Sequence, residues 1–340
     1  MGASTEYSEA YLHQSKQSQV IGVVILYIVL EVITLTLRQL SKQLGRVRWG
    51  LDDALIFLGF GLCMAVNGTS LADVYNGGTG LHQARLEQDD PHKIVVWGHY
   101  IIIVPLLYVQ AIVPAKLAVL HLYLSVFTDK RLRIGTYVTG GIILATWVSC
   151  TITGLLTCRP LSYFWTGEGT CLDVNAYFRW SGLPNIITDL AILLLPLPMI
   201  YQLQTSRRMK IGIATTFALG GLGLVASILR FYEYFVTNAQ VDGTWTAASF
   251  IIWCVVECGT YQVAACLPLY RPLMKFVGHK MHLTSKGDSR HSSENLNQCG
   301  SYLSQGADDL KYAGRFHSLK RHKLSFDEED GLGLVTIDNQ

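Results

Sequence analysis

Charge is what this chain has least of. Asp, Glu, Lys and Arg make up 15% of its 340 residues, against roughly 25% in soluble domains. That deficit excludes the pair of soluble domains that the length alone suggests. The net charge is only +2, too small to point to a nucleic-acid partner. Residues 1–17 are polar, hold Glu6 and Glu9, and lack the basic start and cleavage site of a signal peptide, so the apolar stretch behind them is expected to be retained. No internal repeat is visible, which argues against an inverted-repeat transporter. The last apolar stretch contains no lysine. A microbial-type retinal protein needs a Schiff-base amine there, so no retinal and no other cofactor is expected.

Apolar length is present in abundance: half the residues are hydrophobic and the mean hydropathy is +0.30. A hydrocarbon core of ~30 Å takes about 20 residues as helix, and the stretches 18–40, 51–72, 94–127, 134–156, 180–203, 211–236 and 245–270 meet that demand. The expected fold class is an all-α membrane protein, a seven-transmembrane helix bundle over 18–270. A short polar N-terminus (1–17) precedes it, and a Ser-, Gly- and charge-rich tail (271–340) follows, expected to be largely disordered. The third stretch is too long for one straight crossing and holds Pro105 and Pro114, so it should tilt and bend.

Most of the eight cysteines lie in apolar stretches and read as small packing residues. Cys158 and Cys171 share the loop between the fourth and fifth spans and are expected to form a disulfide if that side is oxidising. Cys254, Glu257 and Cys258 share a helical face, but two thiols and a carboxylate inside a membrane are not expected to hold a metal. Asn67-Gly68-Thr69 matches the glycosylation sequon. It lies within the second span, out of the transferase's reach, and is expected to go unused.

Ionisable residues inside a span are costly and mark function by default. Here they are Glu31, Lys116, Asp189, Arg230, Glu233 and Glu257. At ~1.5 Å per residue, Lys116, Asp189 and Glu257 fall at similar depth near the midplane, with Arg230 and Glu233 nearer the outer face. Lys116 should close on Asp189 or Glu257, and Arg230 on another acid. Two readings stay open. One is an ion-pair clasp that fixes packing. The other is an outward-opening polar cavity that binds a ligand through Lys116, Asp189, Arg230, Glu233 and Glu257, with Asp189 and Glu257 as candidate catalytic proton donors. Tyr108, Trp147, Trp180, Tyr232 and Trp253 are candidates for its wall or for interface anchors. Asp52 and Asp53, at the start of the second span, suit the partial positive charge of a helix N-terminus or a cytosolic partner.

Several separated motifs occur together: Trp49-x-x-Asp52-Asp53, Gly78-x-Gly80-x-His82, Lys116 with Tyr123 and Phe127, and Cys158-x-Pro160 with Trp165 and Cys171. Asn185, Asp189, Pro196-x-Pro198, Gly220, Ser227, Arg230, Glu257 and Cys266-Leu267-Pro268-x-x-Arg271-Pro272 follow. Over residues 20–272 this set resembles the fungal rhodopsin-like integral membrane proteins, typified by a satratoxin-cluster membrane protein and related to appressorium-type fungal receptor-like proteins. The resemblance implies a seven-span fungal protein, often encoded beside specialised-metabolite genes, with no catalytic residues to carry over. The cysteine-rich CFEM domain of some receptor-like relatives is not present in this sequence.

Three functions are therefore open. The first is an accessory membrane protein of a mycotoxin-type pathway, handling or responding to a lipophilic intermediate. The second is a G-protein-coupled-receptor-like sensor that engages cytosolic signalling proteins through its loops and tail. The third is a membrane-embedded cyclase or isomerase using an intramembrane carboxylic acid. Each places the chain in a lipid bilayer, either the plasma membrane or an endomembrane.

Orientation follows from the Lys/Arg bias of short loops. Arg38, Lys42, Arg46 and Arg48, then Lys130, Arg131 and Arg133, then Arg207, Arg208 and Lys210, and finally Arg271, Lys275 and Lys280 fall on one side. The alternate side is poorer, with Lys16, Arg85, Lys93 and Arg159 among its basic residues. The N-terminus is expected outside or in a lumen and the C-terminus in the cytosol. A glycosylatable reporter fused after Gln340 should stay unmodified; its glycosylation would reverse this orientation.

Overall fold

The computed structural model describes residues 8–45, 49–126, 129–166, 168–198, 207–236 and 242–270, all within Met1–Phe276, the first of the chain's two units. The loop arginines Arg46 and Arg48, the end of the expected fifth span (199–203) and the expected disordered tail lie outside the described residues. Among those described, seven long helices form: α1 Gln17–Gly45, α2 Leu51–Ala72, α3 Pro91–Val126, α4 Lys130–Leu156, α5 Val174–Leu194, α6 Arg207–Val236 and α7 Gly243–Cys266. Five, namely α1, α2 with its extension to Gly77, α3, α4 and α7, are long and apolar enough to cross a membrane. Helix α5 carries a shorter apolar run, Trp180–Leu194.

The distribution of side chains identifies the solvent. Ile25, Val29, Ile33, Val138, Ile142 and Ile152 stand exposed on α1 and α4, whereas Glu31, Lys116, Asp189, Glu257 and Gln262 are buried. In water that arrangement would leave an apolar surface far larger than a soluble monomer tolerates. In lipid it keeps these polar groups inside the bundle, away from hydrocarbon. The chain is a helical membrane protein. Helix α7 is its centre: 67% of its apolar window is buried, against 22% in α1 and in α4, and it packs on α1, α2, α3 and α6.

Most helices differ from their expected bounds by a few residues, and for two of them local sequence gives the reason. Helix α5 starts at Val174 rather than 180 because Asp173 caps it, accepting the Ala176 N–H at 3.0 Å. It stops at Leu194, ahead of Pro196 and Pro198, which disfavour helical backbone before them. Helix α7 ends at Cys266, and Leu267–Tyr270 continue as a 3₁₀ turn, because Pro268 has no N–H to donate. Helix α3 holds Pro105 and Pro114 inside one run of 36 residues, about 54 Å of helix, more than a bilayer core spans.

At one end of the bundle the Gly78-x-Gly80-x-His82 motif makes a tight loop. Gly78 and Gly80 take φ of 73° and 94°, the left-handed region that favours glycine. The loop docks through Lys16 N–H to Gly80 C=O (2.8 Å) and Gly80 N–H to Thr244 C=O (3.0 Å). His82 is sandwiched between Tyr11 (3.8 Å) and Trp245 (4.0 Å). Asp242 takes His82 Nδ1 at 2.5 Å, the Gln83 N–H at 2.9 Å and the Tyr11 hydroxyl at 3.1 Å. At the same end Cys158–Arg159 (β1) pairs antiparallel with Thr170–Cys171 (β2), with Cys158 opposite Cys171 in disulfide linkage. The loop so closed lies on α3, with Trp165 stacked on His99 at 4.3 Å.

The other end is held by a clasp of charge. Arg38 donates to Asp52 (2.7 Å), Asp53 (2.9 Å) and the Ala265 C=O (3.3 Å), while Lys42 also pairs with Asp53. Asp53 caps α2 as well, accepting the Gly50 N–H at 2.8 Å. Helices α1, α2 and α7 are thereby tied at one point.

Two predictions follow from these ends. The Asp53 side chain is fully buried and that of Asp52 is 29% exposed. Asp53→Asn, which strands Lys42 and leaves Arg38 only Asp52 and the Ala265 C=O, should cost about 3–5 kcal/mol, while Asp52→Asn should cost about 0–1 kcal/mol; thermal unfolding in detergent compares them, and equal losses would refute the clasp. Non-reducing mass spectrometry should find Cys158 joined to Cys171, and Cys171→Ser should cost about 3 kcal/mol through the loop it opens. Labelling of both thiols without reduction would refute the bridge.

Candidate functional site

The buried charges meet between α3, α5, α6 and α7, and helical spacing explains how. Asn185 and Asp189 are four apart on α5, Ser227 and Arg230 three apart on α6, and Glu257 and Tyr261 four apart on α7, so each pair shares one face. Lys116 reaches in from α3. Its ammonium lies 2.5 Å from Asp189 Oδ1 and donates to Asn185 Oδ1 (2.7 Å) and Thr188 Oγ1 (3.3 Å). Arg230 Nε donates to Glu257 Oε2 at 3.2 Å.

Neutral groups join the two pairs into one network. The Asn185 amide donates to Glu257 Oε1 at 2.6 Å while its carbonyl accepts from Lys116. Ser227 Oγ sits between both acids, 2.7 Å from Glu257 Oε1 and in contact with Asp189. The Tyr261 hydroxyl donates to Asp189 Oδ1 at 2.7 Å. Aromatic faces take up the cations, with Arg230 over Tyr108 at 4.6 Å and Lys116 over Tyr261 at 5.3 Å. Two cations balance two anions, so the cluster as a whole is neutral.

A cavity of about 60 Å³ opens beside this network. Its wall includes Tyr108, Lys116, Trp147, Asn185, Arg230 and Tyr234, drawn from α3, α4, α5 and α6. Asp189 and Glu257 do not line it. Each carboxylate is off the wall and in contact with a cation that is on it.

The remaining candidates divide as follows. Glu233, one turn beyond Arg230, is half-buried and lies outside the two ion pairs. Glu31 is buried on α1 with the Asn67 amide 3.4 Å away and stands apart from the cluster. Asn67 is itself buried. Trp147 lines the cavity, held by its indole N–H to Gln110 at 2.7 Å, whereas Trp180 and Tyr232 stand exposed on the surface and Trp253 is not part of the wall. Among the described residues no group of three or more His, Cys, Asp or Glu could hold a metal ion; Cys254 and Cys258 are buried thiols.

Reading for charge alone overlooked Asn185, Ser227 and Tyr261 as network members, since neutral polar groups are affordable in a span. The signal was present: each lies three or four residues from a buried charge. Arg38 and Lys42 were overlooked too, because positive charge at a span's end reads as topology rather than as a buried clasp.

Comparison with known proteins extends this picture. The Fungal rhodopsin domain matches residues 37–276. The chain is 30% identical over 282 residues to the Polyenoic acids biosynthesis gene cluster protein Ba17b of Metarhizium anisopliae, covering 78% of this chain and 77% of that protein. It is 26% identical to the Satratoxin biosynthesis SC1 cluster protein 4 of Stachybotrys chartarum, over 48% of this chain and 60% of that one. It is 25% identical to Receptor GIN3 of Arthrobotrys oligospora, over 73% of this chain and 60% of the receptor. No solved structure matches. With a helical bundle whose charges are buried and whose apolar residues face outward, and with a domain match spanning most of its length, the chain belongs to the fungal rhodopsin domain family.

Proposed function

We propose that this protein is a seven-span membrane protein that serves a fungal specialised-metabolite pathway by holding a lipophilic small molecule in the cavity between α3, α4, α5 and α6. The observation that carries this reading is a cavity flanked by two buried ion pairs. A clasp serving only to fix packing gains nothing from a cavity beside it. Buried ion pairs can often be replaced by apolar residues at no loss of stability, so their presence at a cavity favours use. Two relatives named for biosynthetic clusters support the pathway context.

The orientation within this reading places the disulfide and the His82 loop outside or in a lumen and the Asp53 clasp in the cytosol, in the plasma membrane or an endomembrane. The basic bias of the loops on the Asp53 side supports it. Retinal does not fit these residues. Helix α7 has no lysine, and Lys116 is committed to Asp189, Asn185 and Thr188. Acid–base catalysis is poorly supported, because neither Asp189 nor Glu257 lines the cavity.

A second reading, a sensor, is favoured by the likeness to Receptor GIN3. The clasp of Arg38, Lys42 and Asp53 joins α1, α2 and α7 at the end opposite the disulfide, where a shift of α7 would be felt. Gene deletion followed by metabolite profiling separates the readings. A pathway role predicts an altered metabolite profile. Unchanged chemistry with altered development would replace it by sensing.

The ion pairs yield a sharper expectation. Lys116→Met should lower folded abundance, because it strands Asp189, a loss of about 3–5 kcal/mol. Adding Asp189→Asn should restore abundance but not the metabolite profile, whereas adding Glu257→Gln should not restore abundance, since Glu257 answers to Arg230. Fluorescence-detected size exclusion reads abundance. Recovery of both abundance and metabolites in Lys116→Met/Asp189→Asn would reduce the pair to a packing element.

A further inference from the structure

The cavity is not electrostatically neutral in the way the cluster is. Both cations of the network, Lys116 and Arg230, belong to its wall, and neither of their carboxylate partners does. Asp189 and Glu257 are held by hydrogen bonds from Tyr261, Ser227 and Asn185. An occupant's polar atom therefore meets an N–H donor first, with the balancing acid off the wall. Coulomb energy falls inversely with distance, so the nearer positive charge dominates the field at the wall. The guanidinium of Arg230 lies over the Tyr108 ring, which fixes its plane and limits how it can turn. Away from these donors the wall is mixed: Val109, Ile112, Val113 and Ile143 give it apolar surface, and Thr146 and Ser181 add hydroxyls.

We infer that the cavity selects molecules with an apolar body and one terminal carboxylate, the carboxylate seated against Arg230, while Lys116, its donors held by Asp189, Asn185 and Thr188, adds its positive charge to the same wall. This rests on the ligand-holding reading above and adds the head-group chemistry to it. The planar donor fork of Arg suits a two-oxygen acceptor that neither an ester nor an alcohol reproduces. An amine would face two cations without reaching an acid. With about 60 Å³ available, the cavity takes the head group and its first carbons.

The test uses the purified full chain in lipid nanodiscs, titrated calorimetrically with dodecanoate, its methyl ester, dodecanol and dodecylamine. Dodecanoate should bind about tenfold or more tightly than the other three, the difference of one charge-assisted hydrogen bond. Two variants locate the site. Thr146, half-buried on the wall and outside the ion pairs, is replaced in Thr146→Trp, which should abolish binding while leaving thermal stability within a few degrees. Arg230→Lys keeps the charge facing Glu257 but loses the fork, and should erase most of the preference for the acid over the ester. If the acid, ester and alcohol bind equally, or the amine binds best, the head-group inference is overturned while the cavity stands as a lipophilic site. If dodecanoate binding survives Thr146→Trp, the site lies elsewhere. If none of the four binds and a Thr146→Trp strain keeps a normal metabolite profile, the ligand-holding reading itself falls with it.

Discussion

Hydrocarbon cannot solvate a charge, and the interior of this bundle is organised around that constraint. Four ionised side chains come from four helices, and none can stay in place unless the others do. Asn185 makes the arrangement a single unit, because its carbonyl serves one ion pair and its amide serves the other. Ser227 reaches Asp189 Oδ2, the oxygen that Lys116 leaves, and Tyr261 adds a second donor to Oδ1. The relative rotation of α3, α5, α6 and α7 is thus set by polar complementarity. Apolar packing in lipid could not set it so narrowly, since lipid tails are as apolar as the side chains they would displace.

The two ends of the bundle use other means. At the disulfide end, covalent linkage, paired short strands and a stack of Tyr11, His82 and Trp245 hold the connections. At the opposite end a single aspartate, Asp53, gathers Arg38, Lys42 and the first turn of α2. Helix α7 is common to both ends and to the central network. A displacement at the cavity therefore has a packed route to either face, through a helix buried along most of its length.

The cavity takes its chemical character from which side of each ion pair it touches. Had the acids lined it, the same four charges would favour a cation or a proton-transfer role. With the cations on the wall and the acids off it, the site is a donor surface set in a partly apolar pocket. That asymmetry also explains why acidic residues chosen for their cost in a membrane need not be the ones that meet a ligand. Asp189 and Glu257 hold Lys116 and Arg230 in position, and the latter two face the space.

Some of this was determined by the sequence alone. Long apolar runs, scarce charge and the spacing of basic loops specify a helical membrane protein, since a span must satisfy its backbone internally and no other local structure does so at that length. The cysteines at 158 and 171 shared one short loop, whereas Cys150, nearer to Cys158 in sequence, lies within the fourth span. The depth of Lys116, Asp189 and Glu257 could be counted along each helix. The choice of partners could not: Lys116 met two acids at similar depth, and only the packing of α5 and α7 against α3 assigned it Asp189 and left Glu257 to Arg230. Helix ends at Val174 and Cys266 depended on a cap and a proline, local signals that an apolarity profile ignores. The direction in which each buried charge faces was likewise decided by tertiary structure, because it depends on helix rotation, a quantity that no single span carries in its own sequence.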